Sequence, residues 1–82
     1  SIDNNQAEVI HAQVLKSSKL INKSIDEADL PNGLRIGLIK KEDKIIIPEK
    51  NTKIDINDEI LFLCMSEDIK KAEELFQVRN EY

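Results

Sequence analysis

The sequence contains a single histidine, His11, and a single cysteine, Cys64. His11 has no second histidine as a partner, so a strand surface or a dimer face is favoured over a metal or general-base role. Cys64 lies in the apolar run 61–65, where a free cysteine usually packs as a small buried hydrophobe. A nucleophilic thiolate needs an electropositive, partly exposed setting, and none is visible here. One cysteine excludes an internal disulfide and makes a reducing compartment the natural expectation.

The acidic residues and glycines also lack the spacing of known sites. Asp26, Glu27 and Asp29 do not follow a calcium loop, so a solvated helix face is the favoured interpretation. Gly33 and Gly37 form neither a GxGxxG nor a GxxxxGK[ST] phosphate loop, and the chain has no GxSxG turn. We therefore predict that the chain is not an enzyme and holds no metal or cofactor. These features alone indicate a small binding or oligomerisation module.

The bulk properties of the chain limit its partners. Its 82 residues fit one domain, and 40% hydrophobic with 34% charged residues is a globular composition. A net charge of −4 argues against binding to nucleic acid or to anionic membranes. No apolar run approaches the roughly 20 residues of a membrane span, and no signal peptide is visible. We expect a piece of a longer chain, with a linker at 1–7, one domain at 8–78 and a tail at 79–82.

Hydrophobic periodicity predicts an α+β fold in the order β-α-β-β-β-α, a sandwich with helices packed on a mostly antiparallel sheet. Alternation places Ile10, Ala12 and Val14 on the buried face of the first strand. Ser24 and Glu27 have the spacing of a helix-capping box. The predicted elements are strands at 8–15, 34–40, 44–47 and 59–65, a weak strand at 52–56, a short helix at 22–28 and a final helix after Ser66.

The last strand and the last helix are the most apolar elements, so they should supply most of the core. We predict that Leu61, Leu63, Ile69 and Phe76 are among the most buried side chains. Truncation of Leu63 to alanine should then cost about 2–5 kcal/mol.

The hairpin formed by the second and third strands carries more apolar side chains than one helix layer covers. Strict alternation in the second strand would place Leu34, Ile36 and Leu38 on one face and Ile39 on the other. A short chain with a limited core gains stability by pairing, so we predict a homodimer. The interface candidates are Leu34, Ile36, Leu38, Ile45 and Ile47.

Four segments in register resemble one family, the C-terminal RCK (TrkA-C) domains. Residues 23–40 resemble its "G-K-x-[IL]-x-E-[IL]-x-L-P-x-G-x-x-I-x-x-I-x-R" run, and residues 46–48 its "[IV]-I-P" strand end. Residues 52–63 resemble "T-x-[IL]-x-x-G-D-x-[IVL]-[IV]-x-[FV]". Residues 68–77 are similar to the "I-x-x-[VA]-E-x-L-F-Q" ending of the Trk potassium-uptake proteins of Gram-negative bacteria. The resemblance covers about residues 8 to 78 and implies a TrkA-C fold.

The chain departs from the family pattern at three positions. Asn22 and Asn57 stand where the family usually has glycine. Asparagine is among the side chains that best tolerate positive φ, so the backbone should be kept. Lys40 replaces the usual arginine, which retains the charge and loses the planar fork.

The resemblance also implies a function and partners. Proteins of this family are cytosolic subunits that dock on a membrane potassium transporter of the Trk or Ktr type at the inner membrane and gate it. Their Rossmann-like domains bind NAD(H) or adenine nucleotides, and no such domain is within this sequence. Their C-terminal domains commonly pair as dimers, and some bind a regulatory ligand such as cyclic di-AMP. The alternatives are the same domain attached to another transporter or exchanger, or a cyclic di-AMP sensor.

The turn at 31–33 and the second strand form the candidate site for a small anionic effector. Backbone donors of the turn can approach a phosphate, and Arg35 and Lys40 supply positive charge. Strict alternation places these two side chains on opposite faces of the strand. A shared site would then need a dimer partner to supply the second charge, or Lys40 would have to reach around the strand end. The alternative is that both charges only solubilise the strand. The candidate residues are Asn32, Gly33, Arg35, Ile36, Lys40 and Pro48.

Overall fold

The computed structural model describes residues 6–76. The predicted tail at 79–82 and residues 1–5 of the predicted linker lie outside this range, and the first strand begins at Ala7. The α+β prediction is confirmed. In chain order the elements are β1 (Ala7–Gln13), a 3-10 turn (Asp26–Ala28), β2 (Leu34–Lys41), β3 (Lys44–Ile46), β4 (Glu59–Met65), a 3-10 turn (Ser66–Asp68) and α1 (Ile69–Phe76).

The four strands form one sheet in the order β1-β4-β2-β3, and every neighbouring pair is antiparallel. The most apolar strand, β4, lies between β1 and β2, as the sequence predicts for a central strand. Its two neighbours satisfy its backbone hydrogen bonds on both sides. Strands β1 and β3 are the edges of the described sheet.

Side chains of β4 alternate between an inner face, which carries the core, and an outer face. Ile60, Phe62 and Cys64 point inward and are buried. Leu61 and Leu63 point outward, with exposed fractions of 37% and 48%. The prediction that these two leucines belong to the core is therefore wrong. Both alternating sets of β4 are apolar, so hydrophobicity alone does not identify the set that helix α1 covers.

Strand β2 contains an irregularity between Ile36 and Leu38. Before it, Leu34 and Ile36 pair with inward-facing residues of β4; after it, Ile39 points inward and Leu38 lies opposite outward-facing Leu61. An extra residue at a bulge reverses the alternation beyond it. The predicted single face for Leu34, Ile36 and Leu38 is therefore wrong.

The core lies between the inner face of the sheet, helix α1 and the loops that follow β1 and β3. Phe76 of α1 stacks on Phe62 of β4 with ring centroids 4.8 Å apart and an interplanar angle of 13°. Phe76 is fully buried, as predicted, while Ile69 is only half-buried and packs at the margin of the core. The buried apolar residues are Ala12, Val14, Leu20, Ala28, Leu34, Ile39, Ile54, Ile60, Phe62, Cys64, Ala72 and Phe76.

The predicted capping box is confirmed in the loop after β1. Glu27 Oε1 accepts a hydrogen bond from the Ser24 N–H at 2.9 Å, and the Glu27 N–H donates to Ser24 Oγ at 3.2 Å. These bonds, together with the charge of Lys53, hold the pKa of Glu27 below its ordinary value. The helix that they cap is a single 3-10 turn. The predicted strand at 52–56 is absent, and an isolated antiparallel bridge joins Lys53 to Ser24 instead.

Asparagine replaces the family's glycine at two left-handed backbone positions. Asn22 has φ 68° and Asn57 has φ 71°. Both values lie in the region that asparagine tolerates better than most side chains. The prediction that these substitutions preserve the backbone is confirmed.

Candidate functional site: the outer face of the sheet

The outer face of the sheet, on the side away from α1, is largely apolar. Pairing registers bring outward-facing residues of all four strands onto it. Soluble monomers rarely expose large contiguous apolar patches, so such a surface marks a site of interaction. The apolar residues of the outer face are Val9, Leu38, Ile45, Leu61, Leu63 and Met65.

One end of the outer face carries a polar cluster. His11 Nε2 lies 3.1 Å from Glu59 Oε1, and Lys40 is the direct cross-strand partner of Glu59. Together with the apolar side chains of Leu38, Ile45 and Leu61, these three residues line a shallow depression of about 230 Å³. Apolar walls with a few convergent polar groups are typical of ligand sites and of interface centres.

The other end of the outer face is formed by the turn before β2. The Arg35 guanidinium donates hydrogen bonds of 2.9 Å to the carbonyl oxygens of Asn32 and Leu34. The Gly33 N–H donates to Asp68 Oδ2 at 3.0 Å. The Leu34 N–H is also engaged, by the carbonyl of Pro31 at 3.0 Å. These two backbone donors therefore hold the turn closed, whereas the sequence-based hypothesis relied on free turn donors.

The predicted effector residues do not form a single site in one chain. Asn32, Gly33 and Arg35 line a depression of about 400 Å³, whereas Lys40 lines the separate one described above. Ile36 points inward and packs against the core. Pro48 follows β3 and is half-buried.

Arg35 and Lys40 lie on the same face of β2, so the predicted opposite placement is wrong. Their partners on β4 are Leu63 and Glu59, which both point outward. The irregularity between Ile36 and Leu38 reverses the alternation of side chains beyond it, so Lys40 points to the same face as Arg35. The two partners are four positions apart in β4, which corresponds to about 13 Å along the strand.

The structure changes the set of interface candidates. Leu34 is 1% exposed and belongs to the core, and Ile36 packs on the same inner side. Leu38 and Ile45 lie on the outer face, and Ile47, after β3, is 70% exposed. Four apolar residues of the outer face were not among the predicted interface candidates. The signal that could have identified them is the second apolar set of β4, together with the β1 residue that pairs with it: Leu61, Leu63, Met65 and Val9.

A charged cluster fixes the turn that precedes β4. Lys41 of β2 donates hydrogen bonds to Asp58 Oδ2 and, at 2.9 Å, to Asp55 Oδ2. Asp58 is 5% exposed and also accepts the Asp55 N–H at 2.9 Å. Burial works to lower the pKa of Lys41, but the hydrogen bonds to the two carboxylates outweigh it and raise that pKa. The cluster positions the start of β4, and with it Glu59.

Cys64 is a free and buried cysteine. Burial raises the pKa of the Cys64 thiol, so the thiolate is disfavoured, and the predicted buried position of Cys64 is confirmed. Within residues 6–76, no group of three or more His, Cys, Asp or Glu side chains is arranged to hold a metal ion. No helix in this part of the chain is long and apolar enough to cross a membrane.

Comparison with known proteins identifies the family. The model of the TrkA-C domain matches residues 9–77, and the chain therefore belongs to the TrkA-C (RCK_C) family. Among its relatives is the Trk system potassium uptake protein TrkA of Azorhizobium caulinodans, 31% identical over 75 residues, which are 92% of this chain and 16% of that protein. TrkA of Halomonas elongata is 33% identical over 64 residues, which are 77% of this chain and 14% of that protein. The chain thus corresponds to about one sixth of these relatives.

Solved structures share the fold. The RCK_C domain dimer of S. agalactiae BusR in complex with c-di-AMP has a TM-score of 0.71 and 25% identity, and the match covers 90% of this chain and 99% of that one. S. agalactiae BusR in complex with its busAB-promotor DNA has a TM-score of 0.73 and 22% identity, and the match covers 100% of this chain and 40% of that one. The second comparison supports the fold alone.

Proposed function

We propose that this chain is a non-catalytic regulatory domain of a potassium-uptake subunit and that it works by pairing with a second copy through its outer face. The observation that carries this proposal is the apolar outer face itself. Leu61 and Leu63 are exposed on the central strand of the sheet, where an exposed leucine side chain does not stabilise a monomer. Covering them removes apolar surface from water at about 25 cal/mol per Å².

A second copy is the favoured occupant of the outer face for two reasons. The related RCK_C domain of BusR is itself described as a dimer, at 25% identity over nearly its whole length. The charges on the outer face have both signs, with Arg35 and Lys40 against Glu59. A face that carries both signs is able to complement its own copy across a twofold axis.

The role in potassium uptake rests on the relatives named TrkA. In this proposal the domain lies in the cytoplasm, as part of a longer subunit held at the inner membrane by its transporter. Rossmann-like domains elsewhere in that subunit would bind NAD(H) or adenine nucleotides, and the dimer would couple their state to the gate of a Trk- or Ktr-type transporter. Attachment of the same domain to another transporter or exchanger is the alternative.

Sedimentation velocity of the 82-residue chain tests the pairing. We expect a concentration-dependent dimer at micromolar concentration and a monomer for Leu61→Asp, because the substitution places a charge at the centre of the covered surface. Ile56→Asp is the matched control: Ile56 is an exposed apolar residue in the turn before β4, outside the sheet. This control should still dimerise. Pairing through the outer face would be refuted if the natural chain is monomeric, or if Leu61→Asp and Ile56→Asp weaken the dimer equally.

The transporter role needs the full-length subunit. A strain that depends on this subunit for potassium uptake should grow at low potassium with the natural protein and with Ile56→Asp. It should fail with Leu61→Asp at equal protein levels. Normal uptake by a Leu61→Asp subunit whose domain is monomeric would contradict the role of the dimer in gating.

A second candidate function is binding of a small anionic effector, and the c-di-AMP complex of the BusR RCK_C domain favours it. Arg35 and Lys40 share one face, so both are available at a paired surface, although about 13 Å apart along the strand. Calorimetry with c-di-AMP and adenine nucleotides is the test, and Arg35→Ala and Lys40→Ala should each weaken binding. Binding unchanged in both variants would place the ligand elsewhere.

A further inference from the structure

We propose that Asn32 is a site of spontaneous deamidation and that a hydrogen bond from the Gly33 N–H to Asp68 limits the rate of this modification in the folded chain. Asn32-Gly33 is the one Asn-Gly pair of the 82 residues, and Asn32 is exposed. Asparagine is among the chemically labile side chains. It is most labile before glycine, which has no side chain to hinder attack by its own backbone nitrogen. This inference does not depend on the proposed homodimer.

The reaction uses only the chain and water. The backbone nitrogen of Gly33 loses its proton and attacks the side-chain carbonyl carbon, Cγ, of Asn32. A C–N bond forms, the Cγ–Nδ2 bond breaks, and the amide nitrogen leaves with the proton as ammonia, which produces a cyclic imide. Water then opens this ring at either carbonyl and leaves aspartate or isoaspartate at position 32. Nothing is oxidised or reduced, so no other reactant is needed.

Two hydrogen bonds of the turn oppose the first step of this reaction. The Gly33 N–H donates to Asp68 Oδ2 at 3.0 Å, and the negative charge of that carboxylate disfavours the deprotonated nitrogen that has to form beside it. The Leu34 N–H donates to the carbonyl of Pro31 at 3.0 Å, which closes the turn around Asn32 and Gly33. The Gly33 nitrogen is therefore free to attack only when this part of the chain opens locally.

The packing of the turn requires glycine at the position that makes Asn32 labile. A Cβ at Gly33 would contact Asp68 Oδ2 and would lie 2.8 Å from Met65 Cγ, so a larger residue does not fit without movement. The Gly33 carbonyl also accepts a hydrogen bond from the Met65 N–H at 2.9 Å. The close approach that excludes a protective side chain thus also brings Asp68 to the Gly33 nitrogen.

Deamidation would change the charge at one end of the outer face. Asn32 and Arg35 line the same depression of about 400 Å³, and the Arg35 guanidinium donates to the backbone carbonyl of Asn32 at 2.9 Å. The modification places a carboxylate beside this guanidinium and adds one negative charge to a chain whose net charge is −4. Because a carboxylate there competes with an anionic ligand for Arg35, deamidation should weaken binding of the small anionic effector considered above. The modification itself does not require that effector.

Peptide mapping by liquid chromatography and mass spectrometry tests the inference, because it separates Asn32 peptides from their aspartate and isoaspartate products. At mildly alkaline pH, the folded natural chain should deamidate at least about tenfold more slowly than the same chain unfolded in urea. Asp68→Ala removes the acceptor and should raise the rate in the folded chain about tenfold. Asp68→Asn keeps an acceptor oxygen without the charge and should give an intermediate rate. Hydrogen exchange of the Gly33 N–H should follow the same order.

Asn57→Ala is the control for general destabilisation, because Asn57 precedes β4 at the end of the sheet opposite Gly33. Its rate at Asn32 should match that of the natural chain, and far-UV circular dichroism checks that each variant is folded. If Asp68→Ala does not fold, Asp68→Asn alone decides by its rate against the natural chain. An unchanged or lower rate in the folded Asp68 variants would overturn the inference. Equal acceleration in Asn57→Ala would assign the reaction to global unfolding and also overturn it.

Discussion

Truncation of two residues of β4, Ile60 and Leu63, should distinguish the contribution of a side chain to folding from its contribution to pairing. Ile60 is completely buried, whereas Leu63, three positions later, is 48% exposed on the outer face. The two side chains are isomers, so truncation to alanine removes the same number of carbon atoms from each. Ile60→Ala leaves a cavity between β4, its neighbouring strands and the core, and we expect a loss of about 3 kcal/mol. A domain of this size has about 4–12 kcal/mol in total.

Leu63→Ala should cost about 1 kcal/mol or less in the monomer, since half of its side chain is already in water. Its effect should appear in the dimer, where the same atoms are covered by the partner. Urea unfolding followed by far-UV circular dichroism, at a chain concentration below the dimer Kd, measures the loss of monomer stability. For Ile60→Ala, thermal unfolding should show a midpoint about 12–24 °C lower.

Sedimentation of the same two variants measures how each truncation changes the strength of the dimer. Leu63→Ala should weaken the dimer while leaving monomer stability nearly unchanged, and Ile60→Ala should do the reverse in conditions where it remains folded. If Leu63→Ala destabilises the monomer as much as Ile60→Ala does, the assignment of inner and outer faces in β4 is wrong.

Substitutions at three further positions test local features. Lys41→Met leaves the carboxylate of Asp58 buried without its counter-charge and should cost about 3 kcal/mol in urea unfolding at pH 7; less than about 0.5 kcal/mol would contradict the cluster. Because the pKa of Lys41 is raised in the folded chain, its contribution to the free energy of unfolding is complete below about pH 10 and declines as the pH rises through the raised value. The stability of Lys41→Met should not show this decline at alkaline pH. Asn57→Ala should cost about 1 kcal/mol at its positive φ while Asn57→Gly costs nothing, and equal effects would contradict the left-handed backbone. Gly33→Ala would bring a Cβ to 2.8 Å from Met65 Cγ. We expect this substitution to lower the free energy of unfolding by about 1–3 kcal/mol, and an unchanged value would contradict the close approach.

The sequence predicts the elements of the fold well because each carries a local signal. The capping box of Ser24 and Glu27 and the central β4 are found where expected. The left-handed positions at Asn22 and Asn57 follow from the tolerance of asparagine for that backbone. These signals depend on neighbours within a few residues, which the chain displays directly.

The faces of the sheet are harder to predict because they depend on tertiary packing. Both alternating sets of β4 are apolar, and only the position of α1 decides that Phe62 is inside and Leu63 outside. In β2, a local irregularity reverses the alternation beyond Ile36 and brings Arg35 and Lys40 to one face. The candidate site therefore changes from a hairpin surface to the outer face, although most of its charged residues were identified from the sequence.

Isotope-filtered nuclear Overhauser spectroscopy on a mixture of ¹³C-labelled and unlabelled chains tests the central claim most directly. The labelled and unlabelled copies exchange into mixed dimers, so contacts between copies are recorded apart from contacts within one copy. The methyl groups of Val9, Leu61 and Leu63 should show contacts to the unlabelled partner. Intermolecular contacts confined to Ile47 and Ile56, with none from these outer-face methyl groups, would contradict pairing through the outer face.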